Sequence, residues 1–271
     1  MKHPEKLLWN MFYFIVLLGV IKIIGNLIGI QFDEVSPIFN IIMLGAPIVL
    51  VLFHSSIILS PHRAIFFLLF AAVTGFTSEY LGLKYGQFFG TFYTYKPQLT
   101  FFTVPVQVLF YWAAFIYTGY SLTNSFLLWL KKKKPSNALK NWPLLLGTIL
   151  LDGWFVLAID LFMDPIEVKL GMWTWVNGGP YFGVPIGNFI GWFVVIVIAS
   201  GVFRIYEYYF PGKEKKLPRS IFVIPPLCYG LVALTFIGMA LQLHMYELGV
   251  IGSTLMLPVI LYNLYLYFST R

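Results

Sequence analysis

The sequence predicts an all-α, polytopic membrane helix bundle of about eight transmembrane helices with both termini in the cytoplasm. Three observations predict it. Hydrophobic residues make up 59% of the chain and charged residues only 11%, against roughly 25% charged in soluble domains. Apolar runs of the length that crosses a bilayer, about 20 residues, recur from end to end. The basic residues gather in alternate loops, as orientation signals do, and form no continuous face. The formal charge of +7 therefore marks orientation, and no nucleic-acid partner is expected. The single Cys228 lies in an apolar run, so neither a disulfide framework nor a Cys-based metal site is expected.

Residues 1–271 read as one integral membrane domain. The first span, 7–31, follows a short basic leader. Its apolar run is too long for a signal-peptide core and shows no small-residue cleavage site, so it reads as a retained helix. Lys22 inside it is expected to snorkel or pair. Asp33 and Glu34 mark the first loop, 38–59 is the second span, and Ser60-Pro61-His62-Arg63 turns into the third, 64–83. Residues 84–105, KYGQFFGTFYTYKPQLTFFTVP, are too polar to span and too weakly charged for a linker. They read as an interfacial or re-entrant loop folded over the bundle. The fourth span, 105–130, stops before four lysines, and 142–163 and 184–206 are the fifth and sixth. Arg204 and the segment 211–219 form a second basic loop. The last two spans, 220–242 and 249–268, flank a short turn, and no internal repeat is visible.

Alternating the loops between two sides sorts the charges. One side receives Lys2, Lys6, Arg63, Lys131 to Lys134, Lys140, Arg204, Lys213, Lys215, Lys216, Arg219 and Arg271, the other only Lys84, Lys96 and Lys169. The positive-inside rule then assigns the basic side to the cytoplasm and the chain to the cell membrane as a multi-pass protein.

The same alternation gathers polar residues at one depth on the other side. Glu79 closes the third span, Asp160 and Asp164 close the fifth, and Asn188 opens the sixth, with Trp192 one turn on. Tyr93, Tyr95, Trp173 and Trp175 lie in the loops beside them. Asp160 and Asp164, at i and i+4, share a helix face about 5–6 Å apart. Two shielded carboxylates that close do not both ionise readily, so one is expected to keep its proton, as an acid catalyst requires. The bland reading is a solvated helix end that Asp164-Pro165 stops. For Glu79 it is a hydrogen bond to another helix, or to nearby Thr and Ser, and for Asn188 and Trp192 a polar interhelical contact beside an anchor. Asp152 lies deeper, where an Asp costs about 2.5–3.5 kcal/mol to insert. It either bonds another helix or faces the site. His54, His62 and His244 are scattered, so no metal centre is expected. The Asp160–Asp164 spacing also fits the magnesium-diphosphate motif of membrane prenyltransferases, but a second Asp-rich segment and the phosphate-binding arginines are missing.

Three segments carry a resemblance: SEYLGLKYGQFFGTFYTY at 78–95, DLFMDPIEVKLGMWTW at 160–175 and YFGVPIGNFIGW at 181–192. Together, over about 75–195, they resemble the membrane carotenoid-biosynthesis family that includes the carotenoid 1′,2′-hydratases, such as bisanhydrobacterioruberin hydratase. The resemblance implies a cofactor-independent lyase that hydrates the terminal double bond of a lipophilic acyclic carotenoid. It implies Asp160, Asp164 and Glu79 as catalytic residues, and Trp173, Trp175, Asn188, Tyr93 and Trp192 as substrate-binding ones. Other enzymes of the carotenoid pathway are the implied partners. A cyclase or isomerase begins with the same protonation. A transporter or lipid-binding protein is the non-enzymatic alternative, though the symmetric broken helices of many transporters are not seen.

Reporter fusions are expected to place both termini and the 131–140 and 211–219 loops in the cytoplasm, and the 84–103 and 165–183 loops outside. An external lysine run at 131–134 would overturn this orientation.

Overall fold

The computed structural model describes residues 3–28, 30, 36–131, 141–213 and 215–269. Eight long helices dominate them: α1 (His3–Leu27), α2 (Pro37–Leu59), α3 (Pro61–Tyr85), α4 (Val106–Lys131), α5 (Trp142–Lys169), α6 (Ile186–Tyr209), α7 (Ile224–Gln242) and α8 (Tyr246–Ser269). The first-loop acids Asp33 and Glu34, Lys2, Arg271 and the lysines at 132–134 and 140 lie outside the described residues. Helix starts follow local chemistry. Ser36 and Asn141 accept the backbone N–H of Phe39 and Leu144, and prolines occupy the first positions of α2, α3 and α5, where a missing N–H costs nothing.

Seven of the eight are long and apolar enough to cross a membrane, and α4 is not among them. Its place in the bundle explains why. It packs against α2, α3, α5, α6, α7 and α8, and buries Trp112, Tyr117, Tyr120, Ser121, Thr123 and Ser125. A helix walled in by protein rather than lipid can carry polar side chains, provided each finds a partner. Thr123 and Ser125 donate to their own helix, to the carbonyls of Gly119 and Ser121, and Ser125 also reaches the carbonyl of Phe222.

Three apolar clusters hold the helices. The first joins α3, α4 and α6 to Phe89, Tyr93 and Trp175 of the loops. The second joins α4 and α5 to α7 and α8. The third ties α1 and α2 to the start of α7. The 86–105 loop folds over the bundle with a short strand β1 (Tyr93–Tyr95) and a hairpin, β2 (Thr100–Phe101) and β3 (Val104–Pro105). The 170–185 loop supplies β4 (Trp173–Trp175), which pairs antiparallel with β1.

Two sequence expectations need correction. Helix α5 does not end at Asp164-Pro165 but continues to Lys169 with Pro165 inside it. Proline removes the N–H that would bond the carbonyl four residues back, and that carbonyl, of Leu161, receives the Tyr181 hydroxyl at 3.0 Å instead. Nor is Arg204 a loop residue. It is buried in α6 and binds Asp152 of α5 through Nε at 2.5 Å and Nη2 at 2.7 Å. Its remaining donors reach Asn124 and the Tyr120 carbonyl. Asp152 therefore serves the helix contact rather than the site.

Removing one partner of a buried pair leaves the other charge uncompensated, at about 3–5 kcal/mol. Asp152→Ala is thus expected to lower the thermal unfolding midpoint in detergent sharply, and pairing it with Arg204→Leu to recover much of the loss. An unchanged midpoint in the single variant would refute the clamp.

Candidate active site

The elements at one end of the bundle bring three carboxylates to a common centre. Glu79, on the last turns of α3, is buried and held by neutral donors alone. Tyr93 and Tyr95 donate to its Oε2 at 2.5 and 2.9 Å, and the Trp112 indole donates to its Oε1 at 3.1 Å. Neighbouring Thr74 and Ser78 do not satisfy it, because each hydroxyl turns back to a carbonyl of its own helix. Asn188, at the start of α6, spans the aspartate pair. Its Nδ2 donates to Asp160 Oδ2 at 3.0 Å and to Asp164 Oδ2 at 2.8 Å. The Trp173 indole donates to Asp164 Oδ1, whereas the buried Oδ1 of Asp160 receives no donor among the described residues.

The β1–β4 ribbon sets most of these donors. Its register places Tyr93 opposite Trp175 and Tyr95 opposite Trp173. Alternation along a strand then sends all four rings to one face. That face meets the acids, while Thr94 and Thr174 on the other face are exposed. Ring centroids lie 4.6 Å apart for Tyr93 and Trp175 and 5.7 Å apart for Tyr95 and Trp173. Burial and the nearby Glu79 carboxylate raise both tyrosines far above the ordinary phenol range, so they stay protonated donors. Tyr181 is pushed up to about 12 by burial and by Asp160. The ribbon reaches the helices because Gly90 and Gly187 meet backbone to backbone. A Cβ on Gly187 would lie 2.6 Å from the Gly90 Cα.

A cavity of about 880 Å³ opens among these groups. Glu79, Asp164, Asn188, Tyr93, Tyr95, Trp173, Trp175 and Trp192 line it. Asp160 alone of the expected site residues does not; it stands behind Asn188. Sequence reasoning did not single out Trp112, which stacks on Trp192 with centroids 4.1 Å apart. In an α4 segment crowded with aromatic residues, nothing in the pattern separates an indole that bonds a carboxylate from one that anchors a helix. Among the described residues, no group of three His, Cys, Asp or Glu side chains is placed to hold a metal ion.

A smaller cavity, about 420 Å³, is walled by Tyr120, Asn124, Arg204 and Glu207. Its carboxylate faces a cation, since Glu207 meets Arg63 at 3.4 Å. In the larger cavity the hydrogen-bond partners of Glu79, Asp160 and Asp164 among the described residues are all neutral, although Lys22 and Lys96 also line it. Buried carboxylates bonded to neutral donors are suited to holding and releasing protons.

A family profile described as carotenoid biosynthesis protein matches residues 37–260, which include the three carboxylates and all of their hydrogen-bond donors named above. No curated protein and no solved structure matches the chain.

The indole of Trp112 rests against Gly75, where an added Cβ would sit 2.2 Å from its Cγ. Gly75→Ala is therefore expected to push Trp112 off Glu79, costing about 1–3 kcal/mol in overpacking. Thermal unfolding in detergent, with tryptophan emission as a second probe, checks this. Unchanged stability and emission would show that the indole is not fixed as described.

Proposed function

This chain belongs to the carotenoid biosynthesis protein family, and from that membership we propose that it hydrates the terminal carbon–carbon double bond of an acyclic carotenoid. The observation that supports the reading best is the convergence of Glu79, Asp164 and Asn188 on one aromatic-walled cavity, with Asp160 directly behind. A proton must reach the less substituted alkene carbon, giving a tertiary cation on its neighbour. Water then adds to the cation, and one of its protons returns to the protein. The net change is one water, with no electron gained or lost.

In this mechanism Asp160 and Asp164 share one proton. Asp164 lines the cavity and delivers it. Asp160 holds the pair to a single charge, and Asn188 fixes both carboxylates with its two N–H bonds. Glu79, which accepts three donors, acts in its ionised form: it stabilises the cation, takes the proton from the attacking water and returns it to the aspartate pair. The indole faces of Trp112, Trp173, Trp175 and Trp192 supply the cation-tolerant wall. The chain's own residues thus provide the acid, the base and a shield from bulk water.

Expressed in cells that accumulate lycopene, the wild type is expected to give a product heavier by one water and bearing a tertiary alcohol. Asp164→Asn keeps shape but removes the transferable proton, and should lower conversion by about a hundredfold or more while the protein still accumulates in the membrane. Glu79→Gln should do the same. Full hydration by both variants would refute these roles. Cyclised or isomerised product of unchanged mass from the wild type would replace hydration by a reaction that ends in proton loss.

A further inference from the structure

The cavity does not stop at the acids. Its lining also includes Lys22 of α1, Met43 and Leu44 of α2, Glu167 of α5 and Met239 of α7. Three of these helices are held together elsewhere. Leu8, Phe12, Leu50, Ile221 and Ile224 join α1, α2 and the start of α7 in one apolar cluster, toward the opposite ends of the helices. At the level of the cavity the same helices leave room. Among the described residues, a Cβ added to Gly19, Gly45 or Gly238 would meet nothing within 4 Å. Leu44 lines the cavity and is also 43% exposed, beside Ile41 at 69%. The wall is therefore continuous with the lipid-facing surface.

Resting on the reading of the ligand as a polyene, we propose that the seam between α2 and α7, walled by Met43, Leu44 and Met239, is a lateral passage for the substrate's hydrocarbon chain. The end group lies at Asp164 and Glu79, and the far part of the chain extends into the bilayer. Size supports the assignment. A polyene is extended and rigid, so its length rather than its volume decides the fit, and the far part of the chain leaves a cavity of about 880 Å³ by an apolar opening. Composition supports it too. Met43, Met163, Met172 and Met239, four of the eight methionines in the chain, line this cavity. Their unbranched, polarisable side chains adapt to a long apolar ligand and make favourable contacts with π systems. Lys22 and Glu167 also line the cavity, and the stems of long charged side chains can cover apolar surface.

The test is binding as well as turnover. The full-length protein in lipid nanodiscs is titrated with lycopene, and quenching of the cavity tryptophans is read. Met43→Trp and Met239→Trp fill the seam and should each weaken binding about tenfold or more. Ile198→Trp, on the exposed face of α6 and away from the cavity lining, should leave it unchanged. A short acyclic terpene carrying the same end group should bind wild type and seam variants alike. Equal binding of lycopene by wild type and both seam variants would overturn the passage, as would no lycopene binding by the wild type. Binding that the seam variants block, in a protein that does not hydrate lycopene, would uphold the passage and overturn only the reaction.

Discussion

Three carboxylates buried at one end of an apolar bundle set the terms for everything around them. A lone charge in such surroundings is costly unless hydrogen-bonded. Here the compensation is assembled from four separate parts of the chain: the β1 strand, the β4 strand, α4 and the start of α6. The two loops are consequently not free connectors. Each supplies side-chain donors that a helix lacks, and pairing of the loops with each other holds those donors in register. Glycine is needed at 187 for the same reason, since the ribbon reaches the acids only if backbones touch there.

Helix α5 carries two polar systems of the bundle, and they are built on opposite principles. Asp152 is matched to a cation, Arg204, and clamps α5 to α6. Asp160 and Asp164, two and three turns further along, are matched to an amide and an indole. An ion pair fixes charge and resists proton exchange. Neutral donors leave the proton count of the acids open. The separation lets one helix supply rigidity at one level and reactivity at another.

Much of this was legible in the sequence because the two signals used are physically strong. Hydropathy located eight helices to within a few residues at most boundaries, since a bilayer tolerates few other structures. Counting spans brought Glu79, Asp164 and Asn188 to one level before any contact was known. The failures share a cause. Pro165 looked like a helix stop, and Arg204 like a loop charge, because pattern reading sees local propensity but not the distant partner that overrides it. Tyr181 and Asp152 are those partners. Trp112 was invisible for the related reason that its role depends on Gly75 leaving space beneath its ring. α4 belongs to the bundle although it is not among the helices apolar enough to cross a membrane, because its solvent is other helices.

The bond from Tyr181 to the Leu161 carbonyl has a mechanical meaning. Leu161 sits between Asp160 and Asp164, so a loop side chain completes the very turn on which the acid pair rides. Lifting the loop strands that carbonyl in an apolar interior, at a cost of about 1–3 kcal/mol. Loop and acids are therefore coupled parts of one lever. Pressure on the 170–185 segment is felt within a single helical turn of the carboxylates, through the helix backbone as well as through the Trp173 bond to Asp164.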